Sequence, residues 1–244
     1  MAANKSRYRR FRDDLKALQQ GLSRKSYLVS LQSKLLDFIA RANPSPDDLL
    51  RIRQAVTTLV DDDFEPFAAR VIASYNETLA IVNTHYADLG VDLTQDHSRI
   101  QAIERANRAD LGRYRESTIR RISQATREAL LAGETAREFA RRIAPASNRA
   151  RFYALTLAQT QTKVVARAAK AEKARIAEVH YFEYVGIIRD ATRDFCRDLL
   201  IGQSTYHIDA IHQMRNGNKE PVIENGGGWN CIHDWEPDPF YSPP

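Results

Sequence analysis

Cys231 and His233 stand two positions apart in GGGWNCIHDWEPDP, residues 226–239, within a 244-residue chain that has only two cysteines. On an extended backbone, residues i and i+2 point to the same side, so a thiol and an imidazole would face one common partner. Gly226, Gly227 and Gly228 precede them and let the chain close tightly around an ion or another backbone. With Cys196, the other cysteine, the set becomes three sulfur and nitrogen donors, and His207 or His212 would complete a tetrahedral zinc site. The same residues also allow a Cys196–Cys231 disulfide or dithiol, or two ordinary buried thiols beside a hydrogen-bonded histidine.

A second cluster lies in RDATRDFC, residues 189–196. Arg193 suits a bidentate contact with a carboxylate that would tie the loop to the rest of the molecule. Asp190 or Asp194 as a general base is the catalytic alternative, but no nucleophile or phosphate-cradling loop accompanies them. HIDAIH, residues 207–212, spaces its histidines by five and lacks the glutamate of a zinc-protease helix. Asp190, Arg193, Asp194 and Asn230 are therefore expected to lock a structural loop, and no catalytic residue is assigned. The enzymatic alternative is a metal-assisted hydrolase, nuclease or toxin-like enzyme built on Asp190, Arg193, Cys196, Cys231 and His233. In it, Cys196 beside Arg193 would be a reactive thiol.

The elements that must position these residues divide at about residue 178. Residues 1–177 carry 31 Lys and Arg against 20 Asp and Glu, a net of +11, while 178–244 carry 5 against 11, a net of −6. A basic body suits a polyanion or an acidic protein surface, and a DNA-binding protein is a further alternative. Glycine is scarce before 178, and prolines punctuate at 44, 46, 66 and 145. The pattern predicts helices over 6–20, 26–42, 46–61, 64–88, 97–131, 134–144 and 147–177. In the helix over 97–131, Ile100 and Ile103, Leu111 and Tyr114, and Ile122 and Ala125 recur every eleven residues, a period that keeps one stripe facing a partner. Its other faces carry Arg99, Arg105, Arg108, Arg113, Arg115, Arg120, Arg121 and Arg127. The alanine-rich helix that ends at 177 carries a polar seam at Thr156, Thr160 and Gln161 and a basic tail at Lys163, Arg167, Lys170, Lys173 and Arg175. VHYFEYVGI alternates as a strand, a short helix starts near 208, and NKEPVIENGGG is expected as loop.

The fold class expected is mainly α: a long-helix bundle over about 1–177, then a small α+β C-terminal domain. That domain is near the size at which a core alone gives little stability, which favours a metal or disulfide staple. No apolar run approaches the roughly 18 to 20 residues that span a bilayer. MAANKSRYRRFRDD lacks the apolar stretch of a secretion signal, so a soluble, non-exported chain is expected.

Four segments in order, LLAGETAREFARRI, ALTLAQTQTKVVARAAK, YFEYVGIIRDATRDFC and GGGWNCIHDWEP, resemble the phage head morphogenesis domain of Mu-type minor head proteins. The likeness covers about residues 130–237. Cys196, Asn230, Cys231 and His233 stand at positions the family keeps, whereas Gln161 replaces its usual Glu and Ile232 its usual Arg. The resemblance implies an N-terminal helical region over 1–130, a morphogenesis-like domain over 131–237 and a tail over 238–244. It also implies a minor head protein acting in head morphogenesis and DNA packaging at the portal vertex or inner capsid. Its partners would be the portal protein, inner capsid proteins and packaged double-stranded DNA, with no membrane. Such a protein resides in the host cytoplasm during assembly and then in the virion. The tail WEPDPFYSPP offers aromatic and proline anchors for a partner groove.

Overall fold

The structure, a computed structural model, describes residues 13–14, 17–18, 33–35, 37, 46–88, 90, 98–202, 205–218, 220–239 and 241. Most of the helices expected over 6–20 and 26–42 lies outside the described residues. Three long helices dominate the rest: α1 at Pro46–Ala87, α2 at Ser98–Leu131 and α3 at Ala136–Ile176. A small mixed region follows, with β1 at Tyr181–Val185, α4 at Asp194–Ile201, β2 at Thr205–His207, α5 at Ile208–Gln213, α6 at Val222–Asn225 and β3 at Asp234–Pro237. The fold is mainly α with a small antiparallel sheet, as expected. No helix among the described residues is long and apolar enough to cross a membrane.

Pro66 and Pro145 do not break their helices, contrary to the expected boundaries at those residues. A proline removes the hydrogen bond to the carbonyl four residues earlier. Here Pro66 and Asp62 are both exposed, as are Pro145 and Arg141, so each orphaned carbonyl lies on a wet face. The buried stripe of α1 meanwhile runs on without interruption through Val56, Val60, Phe64, Phe67, Val71 and Tyr75. Steps of three and four residues follow one helix face, and its burial outweighs one lost bond. The eleven-residue stripe of α2 also faces inward, with Ile100, Leu111, Tyr114 and Ile122 buried. Of its arginines, Arg105, Arg108, Arg113, Arg120, Arg121 and Arg127 are exposed.

The turn between α2 and α3 is built from local chemistry. Gly133 takes φ +62°, the left-handed position that ends many helices. Thr135 and Glu138 then form a reciprocal cap. The Thr135 amide donates to Glu138 Oε2 at 2.8 Å, and the Glu138 amide donates to Thr135 Oγ1 at 3.4 Å.

The chain separates into two compact units that do not follow the expected sequential division at 130 and 237. One takes residues 13–14 and 17–18 with the described residues of Ser74–Glu104 and Gln159–Pro244; the other takes the described residues from 33 to 73 together with Arg105–Ala158. Each long helix therefore contributes residues to both, because helices of 34 to 42 residues exceed one compact core. In the second unit, Arg115 donates to both oxygens of Asp61, at 2.6 and 2.5 Å. Tyr114 donates to the Ala150 carbonyl at 2.7 Å.

The first unit holds the small sheet, ordered β2-β1-β3 with both pairings antiparallel. Trp235 of β3 is buried against Tyr184, and its indole N–H donates to the Val222 carbonyl at 3.1 Å. Ile211, Val222, Ile223, Leu199 and Phe182 fill the same core, and Ala171 and Ala174 of α3 close it. The small α+β region thus folds onto a long helix and not as an isolated 65-residue core. One part of it corrects the expectation: residues 222–225, expected as loop, form α6, while β3 closes the region at Pro237.

Candidate metal centre

Cys196 sits in the first turn of α4, and Cys231 and His233 lie on the loop between α6 and β3. All three are buried, at 1%, 4% and 3% exposure. One ligand atom of each lies within 4.8 Å of the other two. The two Sγ atoms are 3.9 Å apart, and Cys231 Sγ is 3.6 Å from His233 Nδ1.

The surroundings fix what each donor can do. His233 Nε2 is 3.1 Å from the Ile187 carbonyl. A carbonyl only accepts, so Nε2 carries a proton, and in the neutral ring that leaves the Nδ1 lone pair on the side of the thiols. The Gly227 amide donates to Cys231 Sγ at 3.2 Å, and the Tyr184 hydroxyl donates to Cys196 Sγ at 3.3 Å. The Cys196 thiol donating to Cys231 holds Cys231 well below the ordinary cysteine value against the opposing effect of burial, and the Arg167 charge assists. The same bond, with burial, pushes Cys196 up. Burial likewise raises Tyr184, which keeps it a hydroxyl donor.

The ligand loop approaches Cys196 so closely that a Cβ on Gly227 would lie 2.1 Å from its Sγ. Gly228 takes φ +95° and Asn230 φ +55°. Asparagine is one of the few side chains that tolerates the left-handed region, and this one lets the Asn230 amide donate to Thr160 Oγ1 of α3 at 3.1 Å. Arg193, at the N-cap of α4, donates to the carbonyls of Gly227 at 3.3 Å and Trp229 at 2.6 Å. Arg193 thus joins the two loops through two carbonyls, where a bidentate carboxylate contact tying the loop to the rest of the molecule was expected. Asp194 opens α4, and Asp190 is exposed in the turn closed by the Thr192 amide on the Arg189 carbonyl.

His207 does not join the cluster. The register pairs His207 with Tyr181 at the start of β1, whereas Asp234, next to His233, pairs with Val185 at its end. Four residues of strand separate those ends by roughly 13 Å. His207 instead stacks on His180, and its Nδ1 accepts the Asp209 amide at 3.2 Å to cap α5. His212 lies exposed on α5.

Residues outside the sequence expectation hold the site in place. The basic tail of α3 is largely buried: Arg167 is 3% exposed, Lys170 1% and Lys173 2%. The Arg167 guanidinium donates to the carbonyls of Glu224 at 3.3 Å, Cys231 at 3.2 Å and His233, and to Asp234 at 3.2 Å. Lys163 donates to the Cys231 carbonyl at 3.1 Å. Lys170 bridges Asp234 at 2.5 Å and Glu236 at 2.8 Å. The available signal was the spacing: 163, 167 and 170 fall on one face of an alanine-rich helix, opposite a C-terminal region of negative net charge. The polar seam is also occupied, since Tyr75 donates to Gln161 at 2.8 Å.

Burial alone would raise the Asp234 carboxyl, but Lys170 and Arg167 together hold it below its ordinary value. A depressed folded value gives stability that is present above the unfolded carboxylate range and lost as pH falls through the folded value. Lys170→Met removes one of those cations. It is expected to shift the acid unfolding midpoint to higher pH, measured by tryptophan fluorescence of the buried Trp235. An unchanged midpoint would show that Asp234 gains nothing from Lys170.

Beside the cluster lies a cavity of about 260 Å³, lined by the three donor residues with Arg189, Thr192, Arg193 and Asn230. Asp190 and Asp194, the candidate general bases, are not on its wall. No protein-family model, curated protein or solved structure matches this chain.

Proposed function

We propose that the chain is a phage minor head protein acting in head morphogenesis, with its C-terminal unit serving as a docking or locking module at the portal or inner capsid. One observation carries the reading: three of the four segments that resemble the morphogenesis domain meet at one place. Segment 154–170 supplies Thr160, Lys163 and Arg167; segment 181–196 supplies Tyr184, Arg193 and Cys196; segment 226–237 supplies Asn230, Cys231 and His233. Residues at the positions the family keeps are thus contact partners. The exposed arginines of α2 suit packaged DNA or an acidic protein surface.

A metal-assisted hydrolase is the second reading, favoured by the cavity that borders the donor cluster. Against it, no carboxylate lies on the cavity wall among the described residues to act as a general base.

The test is deletion of the reading frame from the element that encodes it, followed by quantitative mass spectrometry of purified particles. The head-protein reading expects the chain in wild-type particles beside the portal, and heads of reduced infectivity without it. Particles that never contain the chain and remain fully infectious would overturn it. Restoration of infectivity by wild-type chain but not by a folded Arg189→Ala variant would favour the hydrolase.

A further inference from the structure

The geometry of the donor cluster points to a resident metal, and we infer that this chain binds one zinc ion through Cys196 Sγ, Cys231 Sγ and His233 Nδ1, with the fourth coordination place open to the adjoining cavity. The inference stands on the side chains alone and does not rest on the head-assembly reading.

Distances come first. Zinc–sulfur bonds of about 2.3 Å and a zinc–nitrogen bond of about 2.05 Å, meeting near the tetrahedral angle, put sulfur about 3.8 Å from sulfur and about 3.6 Å from nitrogen. The cluster has 3.9 Å between its sulfurs and 3.6 Å from Cys231 Sγ to His233 Nδ1. A disulfide would require the sulfurs to close to about 2.05 Å. The donor set is also the right kind, since two thiolates and an imidazole select zinc over hard cations such as magnesium or calcium. Two thiolates neutralise the ion, so the buried site would carry no net charge.

The outer shell is already arranged for a metal. A ligating histidine normally donates its other ring N–H to a carbonyl or carboxylate, and His233 Nε2 faces the Ile187 carbonyl. A Cβ on Gly186 would lie 2.2 Å from the His233 ring, so the strand end packs against the imidazole and fixes its orientation. The Gly227 amide and the Tyr184 hydroxyl each donate to a sulfur, which suits anionic thiolates.

The fourth place is argued from what lines the cavity. All three donor residues reach its wall, and no further Cys, His, Asp or Glu among the described residues does. Arg189 and Arg193 are on the wall. Arg193 is engaged with two carbonyls, and the Arg189 side chain has no hydrogen-bond or ion-pair partner among the described residues. A water or a small anion is therefore the fourth ligand, with Arg189 favouring the anion. Three protein ligands and an exchangeable fourth is the arrangement of reactive rather than closed structural zinc sites.

The test uses the full chain purified under reducing conditions without added metal. Elemental analysis should give close to one zinc per chain, and a thiol reagent should find both cysteines protected until a chelator is added. Exchange with cobalt(II) should give intense visible bands of tetrahedral coordination with a thiolate charge-transfer band. Azide should shift those bands, and Arg189→Ala should weaken azide binding several-fold while the zinc content is unchanged. Cys196→Ser and His233→Gln should each lower zinc content. The cobalt spectrum of the wild-type chain decides the matter if those variants do not fold. Zinc far below one per chain with no cobalt spectrum, or two oxidised thiols and no metal, overturns the site. A cobalt spectrum that azide leaves untouched overturns the open fourth place.

Discussion

Gly227→Ala is expected to unfold the first unit, at a cost of about 3 kcal/mol or more where overpacking alone costs about 1 to 3. The new Cβ would lie 2.1 Å from Cys196 Sγ, 3.3 Å from Cys231 Sγ and 3.7 Å from the Tyr184 hydroxyl. Cysteine cannot swing away as a lysine tip would, because its sulfur is only two bonds from a backbone held in α4 and moves by a single torsion. The backbone must move instead. That movement also disturbs the Gly227 amide bond to Cys231 and the Arg193 bond to the Gly227 carbonyl. Gly112→Ala supplies the internal control. Gly112 is exposed within α2 with nothing within 4 Å of a new Cβ, and alanine there should stabilise by up to about 1 kcal/mol. The same substitution thus has opposite signs at two positions, read as midpoints of denaturant unfolding. Equal midpoints for the two variants would mean the 226–228 loop is not seated on Cys196.

The convergence of Cys196, Cys231 and His233 was legible because scarcity and spacing carried it: two cysteines in the chain, one of them beside a histidine and after three glycines. His207 was not separable from the other histidines, because excluding it required the β1–β2 register, which depends on pairing between segments more than twenty residues apart. The helical body was legible from periodicity, but its prolines were overweighted. A proline stops a helix only when the lost bond and the ring clash meet no compensating burial, and at Pro66 the apolar stripe passes on the opposite side. β3 escaped because four residues ending in proline are too short to alternate visibly. It is an edge strand whose last residue, Pro237, pairs with Phe182, a place where a missing N–H does little harm. Arg167 and Lys170 read in the sequence only as part of a basic helix tail. Their burial follows from acceptors 57 to 67 positions away, and no local window contains that information.

Arg167→Leu is the most informative removal on α3. The guanidinium is buried and serves four acceptors on two segments: the carbonyls of Glu224, Cys231 and His233, and the Asp234 carboxylate. Breaking a buried ion pair from one side costs about 3 to 5 kcal/mol, and each buried acceptor left without a donor costs about 1 to 3 more. Total stabilities of about 5 to 15 kcal/mol leave little margin for such a loss. Arg167→Lys should recover only part of it, because one ammonium cannot reach acceptors spread along both 224 and 231–234, whereas a planar fork with five donors can. Hydrogen exchange should show where the damage falls, with the amides of 231 to 236 opening before the rest of the chain. Asp234 also connects Arg167 to Lys170, so the double replacement Arg167→Leu with Lys170→Met should cost less than the two single costs added. Strict additivity would mean that the two cations act independently. An unchanged unfolding midpoint for Arg167→Leu would mean that the ligand loop is held by its own turns and not by the helix beneath it.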